Sequence, residues 1–232
     1  MTESNNKTGD TISISSIIQA YRCPRRYYFS RHDPVISSGK YTICKQVSLC
    51  KDQTPDEDQL WEEICLIDPT VKPDLREYLS RCLEIMAHTP VVKYTDSDIQ
   101  VHSVRYGIYG LVDKLDSSSN TISIIRSSGA PAYGCWSDDR VRLAACILCL
   151  KESTGIDIVG GNIEYIPDGI VRYCEPQPRD RRRLLQALHM AQKVMNGNLL
   201  DKPVNAPCKK CLYVNQCNPD KPKTLSSILF KK

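Results

Sequence analysis

Cys208-Lys209-Lys210-Cys211-Leu212-Tyr213-Val214-Asn215-Gln216-Cys217 stands near the end of the chain, with Pro207 before it and Pro219 after it. Two thiols separated by two residues sit on one tight turn. A third thiol six positions beyond the second closes the loop around the same centre. Three clustered thiolates leave one ligand to be found. Cys23, in Tyr21-Arg22-Cys23-Pro24-Arg25-Arg26-Tyr27-Tyr28-Phe29, adjoins a helix break from which a side chain can project. Cys23, Cys208, Cys211 and Cys217 are therefore read as one metal site that ties the two ends of the chain together. An iron–sulfur cubane accepts three clustered thiolates and a remote one. Zinc more often takes two short pairs and is the alternative, with unligated thiols a third.

The chain has 232 residues and twelve cysteines. A secreted disulfide scaffold is usually shorter and carries an export signal, so reduced thiols are expected, some on metal and the rest packed as small hydrophobes. A formal charge of +4 permits a nucleic-acid partner without demanding one. No apolar run is long enough to span a bilayer and no signal peptide is evident, so the expected compartment is cytoplasmic, with no membrane partner.

The polar residues 1–11 are expected to be disordered, 12–200 to form the main domain, 201–219 the cysteine module and 220–232 a tail. Ile14, Ile17, Ile18 and Tyr21 recur at helical spacing over 11–22. A basic-aromatic turn, Arg25 to Phe29, is expected next, then an irregular stretch over 31–57. Helices follow at 58–67 and 73–88. Period-two alternation then predicts strands at Val91 to Tyr94, Gln100 to Tyr106, Gly110 to Leu115 and Thr121 to Arg126, with a hairpin turn at Ser117-Ser118-Ser119-Asn120. A helix over Asp138 to Lys151, strands near 158–166 and 169–175, and a helix over 178–196 complete the domain. Helices, a β meander, a helix, two strands and a helix make an α/β fold with a mixed sheet rather than a regular doubly wound one.

Cys-Pro-Arg-Arg-Tyr-Tyr-Phe near the start, Gly110-Leu111-Val112-Asp113 in the middle and the terminal Cys-x2-Cys-x5-Cys together resemble the CRISPR-associated Cas-four exonucleases, RecB-like members of the PD-(D/E)XK nuclease superfamily. The resemblance covers nearly the whole chain past residue 12, and the cysteine frame is its specific part. It implies a restriction-endonuclease-like core with a mixed sheet flanked by helices, closed by a C-terminal module. It also implies a 4Fe–4S cluster on Cys23, Cys208, Cys211 and Cys217. Family chemistry uses Mg²⁺ or Mn²⁺ held by a His, an Asp and a second acid, with a Lys two residues on and a Gln from the next helix.

Carried over position by position, that pattern is mostly replaced. Asp113 matches the first acid, as a vestigial metal ligand. The acid-x-Lys strand falls at Ser123-Ile124-Ile125-Arg126-Ser127-Ser128-Gly129, which has no acid and puts Arg126 in the Lys position. Arg142 stands for the Gln, and the His position falls at Tyr41-Thr42-Ile43-Cys44. Arginine stays protonated and cannot act as a base. A lone carboxylate among arginines makes a basic pocket that can bind phosphate without cleaving it. Asp116 is expected to turn to the opposite strand face, and Asp138 and Asp139 to cap the following helix.

The expectation is thus a RecB-like iron–sulfur protein that binds DNA and serves an assembly in CRISPR adaptation or repair. An active single-strand exonuclease using Mg²⁺ or Mn²⁺ and a cluster-bearing scaffold without nucleic acid are the alternatives. Arg25, Arg26, Arg126, Arg142 and Arg182 are the candidate DNA contacts, with Tyr27 and Tyr28 as stacking platforms. Cys146 and Cys149 share a helix face and are read as core thiols. The tail Thr224 to Lys232 is read as a docking segment for a protein partner.

Overall fold

The computed structural model describes residues 11–32, 39–50, 55–90 and 92–217. The first ten residues and the tail after Cys217 lie outside these, and with them the expectations placed there.

The chain enters on a two-residue strand, β1 (Ile12–Ser13), which passes directly into α1 (Ile14–Arg22). Ser13 makes the switch: its hydroxyl accepts the Ser16 N–H at 3.0 Å and caps the first turn. Cys23 is extended and ends α1, and Pro24 opens α2 (Pro24–His32), where a missing N–H costs nothing. The basic-aromatic segment is therefore helix rather than turn. The stretch expected to be irregular contains a further helix, α3 (Lys40–Leu49), entered from Gly39 at φ 74°. That backbone angle suits glycine, and a Cβ there would sit 2.7 Å from Val71. Helices α4 (Glu57–Ile67) and α5 (Arg76–Met86) match the sequence reading closely.

Next come β2 (Asp96–Ser103), β3 (Ile108–Asp116) and β4 (Thr121–Arg126). Residues 92–94 belong to no strand, so the strand expected at Val91 to Tyr94 does not form among the described residues, and the one expected at Gln100 to Tyr106 instead runs from Asp96 to Ser103. Helix α6 (Ser137–Thr154), β5 (Gly161–Tyr165), β6 (Ile170–Cys174) and α7 (Pro178–Met195) follow. Short turns at Cys208–Lys210 and Val214–Cys217 carry the last three cysteines.

The six strands form one mixed sheet. Strand β2 runs antiparallel along nearly all of β3. The other edge of β3 is shared: β1 pairs in parallel at Ile108 and Tyr109, and β4 pairs antiparallel at Lys114 to Asp116. Between these two pairings the edge is open over residues 110–113. Strand β4 then pairs in parallel with β5, with α6 as the crossover, and β6 closes the far edge antiparallel to β5.

Helices cover both faces. One core joins Ile14, Ile17 and Ile18 of α1 with Val112, Ile124, Val141, Ala145, Leu184 and Ala191. A second gathers Ile43, Val47, Ile64, Leu79 and Cys82 of α3 to α5 against Ile125 and Ile166. Ile124 and Ile125 thus serve opposite faces, as strand alternation requires. Gly110 lets α1 approach β3 closely, since a Cβ there would lie 2.6 Å from Ile14 Cδ1. Under α3, Lys114 and Glu164 form a 3.1 Å ion pair with each side chain only 1% exposed, and Ser48 donates to the same carboxylate at 2.7 Å. Among the described residues no helix is long and apolar enough to cross a membrane.

A candidate nucleic-acid cleft beside a cysteine cavity

The open edge of β3 is the floor of a large cleft of about 820 Å³. Asp113, Leu111 and Gly110 line it from β3, Ile124 to Ser128 from β4 and beyond, Arg142 and Cys146 from α6, and Tyr41 from α3. Helix α1 supplies Ile14, Ile18 and Arg22, α2 supplies Arg26, and the cysteine module supplies Leu212 and Tyr213. Asp113, the Arg126 stretch, Arg142 and the Tyr41 position, widely separated in sequence, therefore meet in one place.

Asp113 is buried and occupied. One carboxylate oxygen accepts the Ile125 N–H at 2.8 Å and the other accepts the Tyr41 hydroxyl. Burial pushes its carboxyl above the usual carboxylate range, against the opposing pull of Tyr41, Ile125, Lys45 and Arg142. Burial and the Asp113 charge push the Tyr41 hydroxyl upward, so it stays a donor. No neighbouring acid completes a hard-cation site. The strand position facing this edge two residues before Arg126 is Ile124, 2% exposed, and the expected His is Tyr41. Asp116 turns away at the strand end, accepting from the Ser118 and Ser119 hydroxyls at 2.6 and 2.7 Å. Among the described residues no group of three or more His, Cys, Asp or Glu side chains is gathered as a metal-ion site. The residues present do not fit a catalytic Mg²⁺ or Mn²⁺.

The other charged residues of the lining are cationic: Arg22, Arg26, Arg126 and Arg142 against the single carboxylate of Asp113. Asp138 and Asp139 do not cap α6, which starts from Trp136 without a side-chain cap. Asp138 pairs with Arg22, while Asp139 lies 2.7 Å from Arg126 Nε and accepts the Tyr165 hydroxyl at 2.9 Å. Fixed acids behind the cleft thus hold these two guanidinium groups in place. Arg142 has no carboxylate within salt-bridge distance among the described residues, and its Nε is buried without a hydrogen-bond partner.

The other candidate contacts are spread out. Arg26 lines the cleft, whereas Arg25 approaches Asp201 at 3.9 Å and Arg182 is exposed on α7 outside the cleft lining. Tyr27 is not a stacking platform: it is 5% exposed and belongs to the core. Tyr28 packs edge-on against Phe29 and tilts over His32. Cys146 and Cys149 are buried thiols, both pushed up to about 12 by burial.

The four cysteines read as one ligand set share a second, small cavity, of about 20 Å³, with Cys23, Cys208, Cys211 and Cys217 all on its wall. Arg26, Pro207 and Tyr213 complete it. The Arg26 N–H points at Cys23 Sγ from 3.4 Å, and Tyr213 stacks on Phe29 with centroids 6.4 Å apart, seating the module on α2. Four thiols on one cavity wall match a thiolate-bound cluster in donor type, but among the described residues they are not drawn together closely enough to form a metal-ion site as they stand. Arg26 and Tyr213 line both cavities, so the cysteine module is also one wall of the cleft.

No protein-family model matches the chain, and no curated protein does. Solved structures do match. A crystal structure of a "putative exonuclease" from Eubacterium rectale superposes with a TM-score of 0.58 at 12% identity, covering 100% of this chain and 98% of that one. The two chains share a fold, a mixed sheet flanked by helices. The crystal structure of SSO0001 covers 94% of this chain and 90% of that chain, at 14% identity and a TM-score of 0.47.

The cleft lies at the break in the β3 edge. Asp113, Arg126 and Arg142 were legible in the sequence as members of this site. Tyr41 as the hydrogen-bond partner of Asp113 was not, although its position had been marked as the one where a His was due. The Lys114–Glu164 pair was also missed. Its signal was a charge inside each of two strand runs with apolar ends, Lys114 next to Asp113 in Val112 to Leu115 and Glu164 in Ile163 to Ile166.

Proposed function

We propose that this chain is an iron–sulfur-clasped, RecB-like protein of the Cas-four kind that binds DNA through a nuclease-like cleft without metal-dependent cleavage. The observation that carries the reading is the cleft itself, where one carboxylate already engaged by Tyr41 and Ile125 faces four arginines. Arg142 and Arg126 supply phosphate-binding guanidinium groups where the family pattern has a Gln and a Lys. Leu111, Leu212 and Tyr41 offer apolar and aromatic surface against which bases of a single strand can rest. The role is that of a DNA-binding or assembly subunit in CRISPR adaptation or DNA repair, acting with protein partners.

Cys23, Cys208, Cys211 and Cys217 would hold a 4Fe–4S cluster. Bound there, the cluster supplies a cross-link rather than catalysis. Closing a loop of this length removes about 5 kcal/mol of unfolded-state entropy in the chain-entropy model. The chain's own contribution is to fold Leu212 and Tyr213 into the cleft wall.

The Eubacterium rectale neighbour's description as an exonuclease favours a second reading, an active exonuclease with a rearranged centre. One experiment separates the two: incubation of the purified protein with labelled single-stranded DNA, in EDTA and in Mn²⁺. Retention of DNA in EDTA with no cleavage in Mn²⁺ is expected. Mn²⁺-dependent cleavage abolished by Asp113→Ala would overturn the non-catalytic reading.

A further inference from the structure

A further cavity, of about 510 Å³, opens on the side of the sheet covered by α3, α4 and α5. It shares no lining residue with the cleft among the described residues. Its inner end is the Lys114–Glu164 pair, each side chain 1% exposed. Val47, Leu83 and Met86 make apolar walls. Glu84 and Ala87 are exposed and mark its mouth, beside Glu57. That volume suits a small molecule, as does an apolar lining with a few fixed polar groups.

The inner end is polar and only partly engaged. Glu164 Oε2 accepts the Ser48 hydroxyl at 2.7 Å and Lys114 Nζ at 3.1 Å. Glu164 Oε1 is buried and has no hydrogen-bond partner among the described residues. Lys114 carries three N–H donors, of which that bond uses one, and its Nζ lies 5.1 Å from the Tyr94 ring centroid. A carboxylate oxygen without a donor thus stands beside an ammonium with donors to give. Opposite charges side by side select the head of a ligand. An anionic head meets Glu164 there, after passing Glu57 and Glu84 at the mouth. A cationic head meets Lys114. An uncharged amide has what both need, an N–H for Glu164 Oε1 and a C=O for Lys114 Nζ. The apolar walls suit a ring behind it.

We propose that this cavity is a binding site for an uncharged small molecule with an apolar ring and an amide group, the amide seated on Lys114 and Glu164. The site is separate from the arginine cleft, and the proposal does not rest on DNA binding.

The test uses the full-length protein and three probes of one shape: para-fluorobenzamide, para-fluorobenzoate and para-fluorobenzamidine, which are neutral, anionic and cationic. Fluorine NMR linewidths are followed as each is titrated into the millimolar range. The amide should broaden with a dissociation constant about tenfold lower than that of either charged probe. Ala87→Trp, at the exposed mouth and away from the ion pair, should remove the broadening. Lys114→Met with Glu164→Leu, which replaces both charges by apolar groups, should weaken the amide about tenfold. No broadening by the amide, equal or tighter binding of a charged probe, or amide binding that either variant leaves unchanged overturns the proposal.

Discussion

Raising the salt concentration is the perturbation that weighs the arginine cleft most directly. Each phosphate neutralised by a cation on a single strand contributes about −0.7 to the slope of log K against log salt. Four arginines line the cleft, which sets one limit. Arg22 and Arg126 are already paired with Asp138 and Asp139, so Arg26 and Arg142 alone set the other. Between about 50 and 200 mM salt, four contacts weaken binding about 50-fold and two weaken it about 7-fold. The assay is fluorescence anisotropy with a labelled single strand in EDTA. Arg142→Ala should flatten the slope by about 0.7, since one phosphate contact is removed. Arg182→Ala is the comparison, because Arg182 is exposed on α7 outside the cleft lining. A slope lowered by Arg182→Ala but unmoved by Arg142→Ala would place the strand on α7 and refute the cleft. A slope near zero would refute phosphate binding altogether.

Three further outcomes are expected. Lys114→Met should cost about 3–5 kcal/mol in urea unfolding, because it leaves the Glu164 carboxylate buried and unpaired, while Lys114→Met with Glu164→Leu should recover most of the loss; simple additivity of the two would show that the pair is not coupled. Asp180 is held below the usual carboxylate range: burial opposes this, but the Arg140 guanidinium and the Gln177 N–H outweigh it. Its folded value lies below its unfolded one, so its stabilisation is present above about pH 4 and is lost as pH falls; the gap in melting temperature between wild type and Asp180→Asn should close on acidification. Cys208→Ala should abolish the visible thiolate-to-metal absorption of the purified protein and lower its melting temperature, and an unchanged spectrum would remove Cys208 from the ligand set.

What could be read in the sequence followed the range of the interactions. The cysteine frame needs only local spacing, so Cys208, Cys211 and Cys217 stand out together in the sequence, and Cys23, singled out at the helix break before Pro24, lies on the same cavity wall. Helices α4, α5, α6 and α7 carry apolar stripes or capping signals strong enough to survive out of context. Helix α3 does not. It begins from a left-handed glycine rather than a Ser or Asp cap, and its buried face includes Lys45 and Ser48, whose polar ends are satisfied only by Asp98 and Glu164 far along the chain. Helix α2 buries only Pro24 and Tyr27, and its aromatic run has weak helix propensity. The Tyr41–Asp113 bond spans 72 positions and joins helix to strand, so only the fold reveals it.

That bond also leaves the Asp113 carboxylate satisfied without a metal. Removing a cation from beside a buried carboxylate ordinarily strands a charge, at a cost of several kcal/mol. Here the Tyr41 hydroxyl and the Ile125 N–H satisfy Asp113, and Arg142 faces it across the cleft. The substitutions at 41, 124, 126 and 142 therefore act as a set, and reversing one alone should do little. Tyr41→His, Ile124→Glu, Arg126→Lys and Arg142→Gln together restore the family's ligand pattern around Asp113. If these positions correspond, Mn²⁺ at 100 times its dissociation constant should stabilise the folded fourfold variant by about 2.7 kcal/mol and leave the wild type unmoved. Asp113→Ala in the same background should erase the effect. A fourfold variant that folds yet shows no Mn²⁺-dependent stabilisation would mean that the cleft was never built on this pattern, and its arginines would then need another account.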